Sequence, residues 1–500
     1  MKFKKALAFL LAAQMLLVST VSCSETTDEK ETSGTETTSN TNAATPNETT
    51  EGETTSDSRT SIPDNLPDMT FDGKSFRVMT TSSKEYQFVS EELTGEGTND
   101  AVHDRNLRIE DRFDVKIESV LDDYPYDTID KYVTSGTNAA ELVDHFQYKA
   151  YVPISKGNYL DWNTIPYINQ EQPWWNKASN EGATINGKLY CIVGDLSITS
   201  MQFTYAMSFN MDLMEQYGYP SETLYNTVLE GNWTLDKLIE VASTVYADNN
   251  GDGIENEGDT FGYAYWVFHG TDVWVTAMGE HITSLDNNEL TITLGTEKVF
   301  SALEKLNTFI HSTTGAHLYK DEALGRAEFI GGHVGIQNLM FDDCYSYLRD
   351  MEAPYGVLPY PKYDTAQEDY YTNSMDQFSV FGTPKTLPAE DYEFLGIMME
   401  VLNAESYKTV YPAFYDTALK GKYSEDATTA QMIDLIMAGR KFEFSFQFGE
   451  YLSTLPYMFR NCLYNNSSDL ASTIQKNKKA ISKKLKELYT FYADEGTAAE

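Results

Sequence analysis

Ser75-Phe76-Arg77-Val78-Met79-Thr80, a stretch over residues 100–113 whose apolar positions are Val102, Leu107 and Ile109, and then Val115-Lys116-Ile117-Glu118-Ser119-Val120 decide the fold class. The two short runs are rich in strand-forming residues. The segment between them has the length and apolar spacing of a helix, which predicts Val102, Leu107 and Ile109 turned inward. Strand, helix, strand at this separation argues for an α/β lobe with a largely parallel sheet. Downstream, residues 297–311 place Val299, Leu303, Leu306 and Ile310 on one helical face. Residues 468–492 do the same with Leu470, Ile474, Ile481, Leu485 and Leu488. Lys476, Lys478, Lys479, Lys483, Lys484 and Lys486 then form the solvated face of that last helix. No internal repeat is present.

The front of the chain has a different plan. Lys2, Lys4 and Lys5 precede an apolar run from residue 6 to 18, then small residues and Cys23, the pattern of a signal peptide over residues 1–22. The run is too short to span a bilayer. Thr20-Val21-Ser22-Cys23 resembles a bacterial lipobox, with Thr20 where Leu is commonest, which implies an acylated Cys23 as the new N-terminus. Residues 24–60 hold nine carboxylates against Lys30 and Arg59 and no aromatic or branched aliphatic side chain. Such a segment cannot bury a core, so residues 23–65 read as a lipidated cysteine and a disordered leash with a reach of about 35 Å.

From residue 66 the composition is globular and long enough for two lobes. A net charge of −39 repels nucleic acid and anionic lipid, which excludes both as direct ligands and leaves neutral or cationic solutes. Cys191, Cys344 and Cys462 are widely spaced and make neither a disulfide framework nor a CxxC site. Buried thiols, or one bridge and a spare, both satisfy that count.

Residues 248–259 read Asp-Asn-Asn-Gly-Asp-Gly-Ile-Glu-Asn-Glu-Gly-Asp, an oxygen-rich loop with calcium-site spacing. Asp248, Asn250 and Asp252 fill positions one, three and five, Gly253 the turn, the Ile254 carbonyl position seven, Asn256 nine and Asp259 twelve. The expectation is a structural Ca²⁺. A helix over 233–246 leads into the loop, and an aromatic strand over 261–267 leaves it.

Several stretches together resemble the extracellular solute-binding lipoproteins of carbohydrate ABC transporters, bacterial solute-binding protein family 1. They are Pro173-Trp174-Trp175-Asn176, Ile185-Asn186-Gly187-Lys188-Leu189-Tyr190, Val193-Gly194-Asp195, Phe209-Asn210-Met211-Asp212-Leu213 and Gly231-Asn232-Trp233-Thr234-Leu235-Asp236. The loop above follows, then Gly331-Gly332-His333-Val334-Gly335-Ile336, Tyr355-Gly356-Val357-Leu358-Pro359 and Pro412-Ala413-Phe414-Tyr415-Asp416-Thr417-Ala418-Leu419-Lys420. The resemblance implies an α/β, two-lobe periplasmic-binding-protein-like fold of type II with a hinge. One lobe would hold residues 66–200 and 372–405, the other 205–368 and 408–500. It further implies a monomeric receptor, anchored outside the cell membrane, that binds a carbohydrate between the lobes, an oligosaccharide by preference, and delivers it to ABC permease subunits.

Sugar sites stack aromatic rings on the apolar face of a pyranose and grip its hydroxyls with carboxylates and amides. The candidates here are Trp174, Trp175, Trp266, Trp274 and Tyr205 for stacking. Asp195, Asp376, Gln337 and Asn338 are the polar candidates. Adjacent Trp174 and Trp175 in a strand would face opposite ways, one to the core and one to the cleft. Two other classes compete, a glycoside hydrolase built on paired carboxylates and a calcium-dependent surface adhesin. Against an enzyme, the chain has no Gly-x-Ser-x-Gly elbow, no HExxH and no P-loop. Its seven histidines form no cluster with ligand spacing.

Overall fold

The computed structural model describes residues 59–266, 270–286, 289–349, 351–415 and 427–493. The predicted signal peptide, Cys23, most of the predicted leash and residues 416–420 of the last resemblance motif lie outside the described residues. The strands in chain order are β1 (Lys74–Thr80), β2 (Val115–Leu121), β3 (Leu142–Phe146), β4 (Tyr205–Asn210), β5 (Tyr246–Ala247), β6 (Thr260–Trp266), β7 (Thr283–Asp286), β8 (Glu289–Ile292), β9 (Ala316–Tyr319), β10 (Val334–Met340), β11 (Tyr355–Leu358) and β12 (Ser379–Gly382).

The first lobe is built on the sheet β12-β3-β1-β2, with β1 parallel to β2 and β3 and β12 returning antiparallel to β3. The connection from β1 to β2 is the expected helix, Gly97–Phe113. It opens where the Glu96 carboxylate accepts from the amides of Thr98 and Asn99 and closes at Asp114 in a left-handed conformation. One inward position differs from the expectation: Leu107 is 52% exposed. The buried stripe is Val102, Arg105, Asn106, Ile109 and Phe113. Leu107 lies five residues past Val102, about 140° around the helix, so it faces water. Arg105 occupies the apolar face because its guanidinium donates to Asn106 Oδ1, Ser406 Oγ and the carbonyls of Gln87 and Phe88.

The second lobe carries β11-β4-β10-β6-β5 with β9 also paired to β6, and β7-β8 form a separate hairpin. Within it β10 runs parallel to β6 and antiparallel to β4. Every residue of β4, β6 and β10 is buried, as expected for strands covered on both faces by helices. Those covers include Leu235–Ser243, capped by the Thr234 hydroxyl, and Glu297–Ser312, whose Val299, Leu303, Leu306 and Ile310 are all buried. The helix before the loop is shorter than the predicted 233–246 because the chain turns into β5 at Tyr246. The last helix, Leu470–Ala493, buries Leu470, Ile481, Leu485 and Leu488.

Two segments cross between the sheets and pair with each other. The Tyr205 amide donates to the Asn373 carbonyl at 3.1 Å and the Met375 amide to the Phe203 carbonyl at 2.8 Å. Residues 444–452, expected in the second lobe, also touch the first: Tyr151 stacks on Tyr451 with centroids 3.7 Å apart, and Lys149 pairs with Glu450 at 2.7 Å. Cys191, Cys344 and Cys462 are buried free thiols. No helix among the described residues is long and apolar enough to cross a membrane.

Candidate functional site

The crossing segments floor a cavity of about 290 Å³ whose walls come from both lobes. Tyr148, just after β3, lines it from the first lobe, Asp376 and Gln377 from the crossing, and Asp272, Tyr457 and Arg460 from the second lobe. Backbone bonds fix each wall. The Tyr148 amide donates to the Asp376 carbonyl at 3.0 Å, which ties the end of β3 to the crossing. Asp272 follows a turn at Gly270, whose carbonyl accepts from Tyr360 Oη at 2.9 Å. Gly270 has φ +65°, and a Cβ there would stand 2.1 Å from that hydroxyl, so only glycine lets the turn sit this deep. Arg460 is carried by the helix Met458–Tyr464, and Tyr457 immediately precedes it.

The charged groups form one chain of contacts. Arg460 Nη1 donates to Asp272 Oδ2 at 2.6 Å while its guanidinium lies 4.3 Å from the Tyr457 ring centroid. The Tyr457 hydroxyl donates to Asp376 Oδ2 at 2.5 Å. Burial pushes the Asp272 carboxyl up to about 7, against the opposing pull of Arg460. Burial also raises Asp376, the bond from Tyr457 offsetting part of it. Tyr205 is buried beside the same acids, and its phenol is raised first by burial and then by Asp272 and Asp376.

A second opening of about 490 Å³ lies at the same junction, between Ser83, Tyr86, Glu96 and Asn99 of the first lobe and Asp342 and Tyr345 of the second, with Gln202 of the crossing between them. Tyr86 Oη donates to Gln202 Oε1 across it. In the first lobe, Lys84 Nζ is 3.9 Å from Asp144 Oδ1 and 4.2 Å from the Phe146 ring centroid. Burial draws that ammonium down to about 8.

Of the residues singled out from sequence, the structure brings Asp376 to the cavity and Tyr205 beside it. The four tryptophans go elsewhere. Trp174 and Trp175 are 0% and 4% exposed, and their Nε1 atoms donate to Glu400 Oε1 and Oε2, each at 3.0 Å. They do not face opposite ways as a strand pair would, because they lie in a turn before the helix Lys177–Ala183 and converge on one carboxylate. Trp266 and Trp274 are 1% and 0% exposed. Trp266 closes over Gly325, where a Cβ would meet its ring at 2.6 Å, and Trp274 stands edge-on to Tyr360 at 5.1 Å. Gln337 and Asn338 are buried in β10, bonded to Ser208 Oγ at 3.1 Å and Tyr263 Oη at 2.8 Å. Asp195 is half-buried with its amide on the Trp174 carbonyl, and burial raises its carboxyl to about 7 against the opposing charges of Arg440 and Arg59. Sequence reasoning missed Tyr148, Asp272, Tyr457 and Arg460. The adjacency of an aromatic and a cation at 457–460 is a signal, though a weak one.

The oxygen-rich loop closes largely on its own amides. Asp248 accepts from Gly251 and Gly253, Asn250 from Asp252, and Asp252 from Ile254. Asn256 Nδ2 donates to Asp252 Oδ2 and to the Ile254 carbonyl. Asp259 is fully buried and accepts from the amides of Asn249 and Asn256, both at 3.1 Å. Among the described residues, no group of three or more His, Cys, Asp or Glu side chains is placed to hold a metal ion.

No family model matches the chain, and no curated protein matches it significantly. Solved structures do. The chain is similar to the cyclic α-maltosyl-1,6-maltose binding protein from Arthrobacter globiformis at 14% identity, over 83% of this chain and 100% of that one, with a TM-score of 0.56. It is similar to UgpB from Mycobacterium tuberculosis, solved with glycerophosphocholine, at 14% identity over 83% and 99%, TM-score 0.51. An ABC transporter solute binding protein from Thermotoga lettingae, bound with α-D-tagatose, matches at 14% identity over 83% and 100%, TM-score 0.51. The fold is thus the two-lobe periplasmic-binding-protein-like α/β fold.

Proposed function

We infer that this chain is a receptor that binds a carbohydrate between its two lobes and hands it, unmodified, to an ABC importer. The observation that carries the reading is the cavity at the crossing, to which Tyr148, Asp376 and the Asp272–Arg460 pair each come from a different part of the fold. A ligand there touches both lobes and favours whichever lobe arrangement lets it do so, and this differential contact is what a transport receptor needs. Two of the fold neighbours, the cyclic α-maltosyl-1,6-maltose binding protein and the ABC transporter solute binding protein bound with α-D-tagatose, support the reading. The oligosaccharide preference, the monomeric state and the anchor at Cys23 belong to the same proposal.

A thermal-shift screen against mono- and oligosaccharides tests it, since a native-state ligand at a hundred times its Kd stabilises by about 2.7 kcal/mol. Tyr148→Ala is expected to lower the affinity of the ligand found by about thirtyfold, on the order of 2 kcal/mol, with the apo melting temperature nearly unchanged. A fully active Tyr148→Ala protein would remove the cavity from the reading. The ligand should also return intact by mass spectrometry after prolonged incubation. Turnover above a protein-free control would make Asp272 and Asp376 the acid and base of a glycoside hydrolase instead.

We also propose that the 248–259 loop holds Ca²⁺ in a structural role, through Asp248, Asn250, Asp252, the Ile254 carbonyl, Asn256 and Asp259. The support is their spacing, and binding requires Asp259 to leave its present amide partners. Chelator is expected to lower the melting temperature of the parent protein and not of Asp252→Ala. Superimposed melting curves with and without chelator would end this proposal.

A further inference from the structure

The cavity at the crossing carries a charge imbalance that a neutral sugar does not use. Asp272 and Asp376 face it against one guanidinium, Arg460, and no lysine is among the residues that line it. That guanidinium is engaged with Asp272 Oδ2. Asp272 Oδ1 is buried with no hydrogen-bond partner, on a side chain only 8% exposed. A buried carboxylate oxygen without a donor is costly and is relieved by a donor or a cation. The rings of Tyr148 and Tyr457 line the same space and already attract cations, Lys149 Nζ standing 5.2 Å from the Tyr148 centroid and the Arg460 guanidinium 4.3 Å from the Tyr457 centroid.

Resting on the carbohydrate reading, we propose that the solute bears a protonated amine, held by Asp272 and Asp376 against the Tyr148 and Tyr457 rings, so that the receptor prefers an amino sugar to its neutral counterpart. The surrounding charges agree with this. Lys149, beside Tyr148, is paired with Glu450, Arg460 is the cation on the second-lobe wall, and Tyr205 and Tyr457 add only phenols. A bound ammonium favours the ionised forms of two acids that burial holds up, Asp272 at about 7. Affinity therefore rises as pH rises through about 7 and falls again once the amine itself loses its proton.

Isothermal titration of the full chain at pH 7 with a glucosamine trisaccharide, its N-acetylated form, maltotriose and cadaverine tests the proposal. The free-amine trisaccharide is expected to bind at least tenfold more tightly than either neutral one. Asp272→Asn, which keeps the shape and removes the charge, is expected to abolish that preference while its apo melting curve shows a folded protein. Asp376→Asn supplies a second variant if Asp272→Asn fails to fold. A neutral trisaccharide bound as tightly as the amine overturns the inference and leaves the carbohydrate reading standing. Cadaverine binding with no saccharide bound upholds the cationic site and overturns the carbohydrate reading. No binding by any of the four overturns both.

Discussion

Trp174→Ala is expected to cost about 3–5 kcal/mol of unfolding free energy, read as a lower urea midpoint, without changing the ligand affinity of the molecules that remain folded. Trp175, Trp266 and Trp274 are expected to behave alike. Each is a fully or nearly fully buried indole, so truncation removes apolar contacts and leaves a cavity that the close-packed surroundings fill only in part. Trp174 and Trp175 add a second loss, because each donates one of the hydrogen bonds that Glu400 accepts. Tyr148→Ala provides the contrast, since that side chain is half-buried and lines the cavity. An affinity loss in any tryptophan variant beyond what its stability explains would return that residue to the ligand.

The elements were legible where a single local period decides them. β1, the helix after it and β2 appear within a few residues of the sequence reading, as do Glu297–Ser312 and Leu470–Ala493. Leu107 shows the limit of that method. Hydrophobicity assigns it inward, whereas the helical angle gives the inward place to Arg105, whose acceptors are the carbonyls of Gln87 and Phe88 before the helix and Ser406 far along the chain. The cavity was less legible for the same reason. Its walls are drawn from Tyr148, Asp272, Asp376, Tyr457 and Arg460, and no local pattern joins those positions. Asp376 was found because it lies at a crossing between lobes. The burial of all four tryptophans was not legible because a large apolar ring suits a core and a sugar platform, and for Trp174 and Trp175 the partner that settles the matter, Glu400, is more than two hundred residues away.

That partner leads to the second large effect, a stability that increases on acidification from pH 8 toward pH 5. Glu400 is 0% exposed and accepts from Trp174 Nε1, Trp175 Nε1 and the Asn169 amide, with no cation among these partners. Burial pushes its carboxyl up to about 7 although the three donors pull the other way. The folded pKa therefore lies above the unfolded value of about 4.3, and between the two the native state keeps a proton that the unfolded chain releases. Stability then falls as pH rises through that window, on the order of 3 kcal/mol for this group between pH 5 and 8. Asp272 and Asp195, both raised to about 7 by burial, act with the same sign, and so does the relief of self-repulsion in a chain of net charge −39. Asp130 acts oppositely. Its bond from Lys156 holds it below the usual carboxylate range, so its contribution is lost only as pH falls below about 4. The urea midpoint should peak near pH 5. Glu400→Gln cannot ionise, and although its amide serves the two indoles less well at every pH, its midpoint should vary less between pH 5 and 8 than that of the parent. An identical slope in the two proteins would show that Glu400 is not the group being titrated.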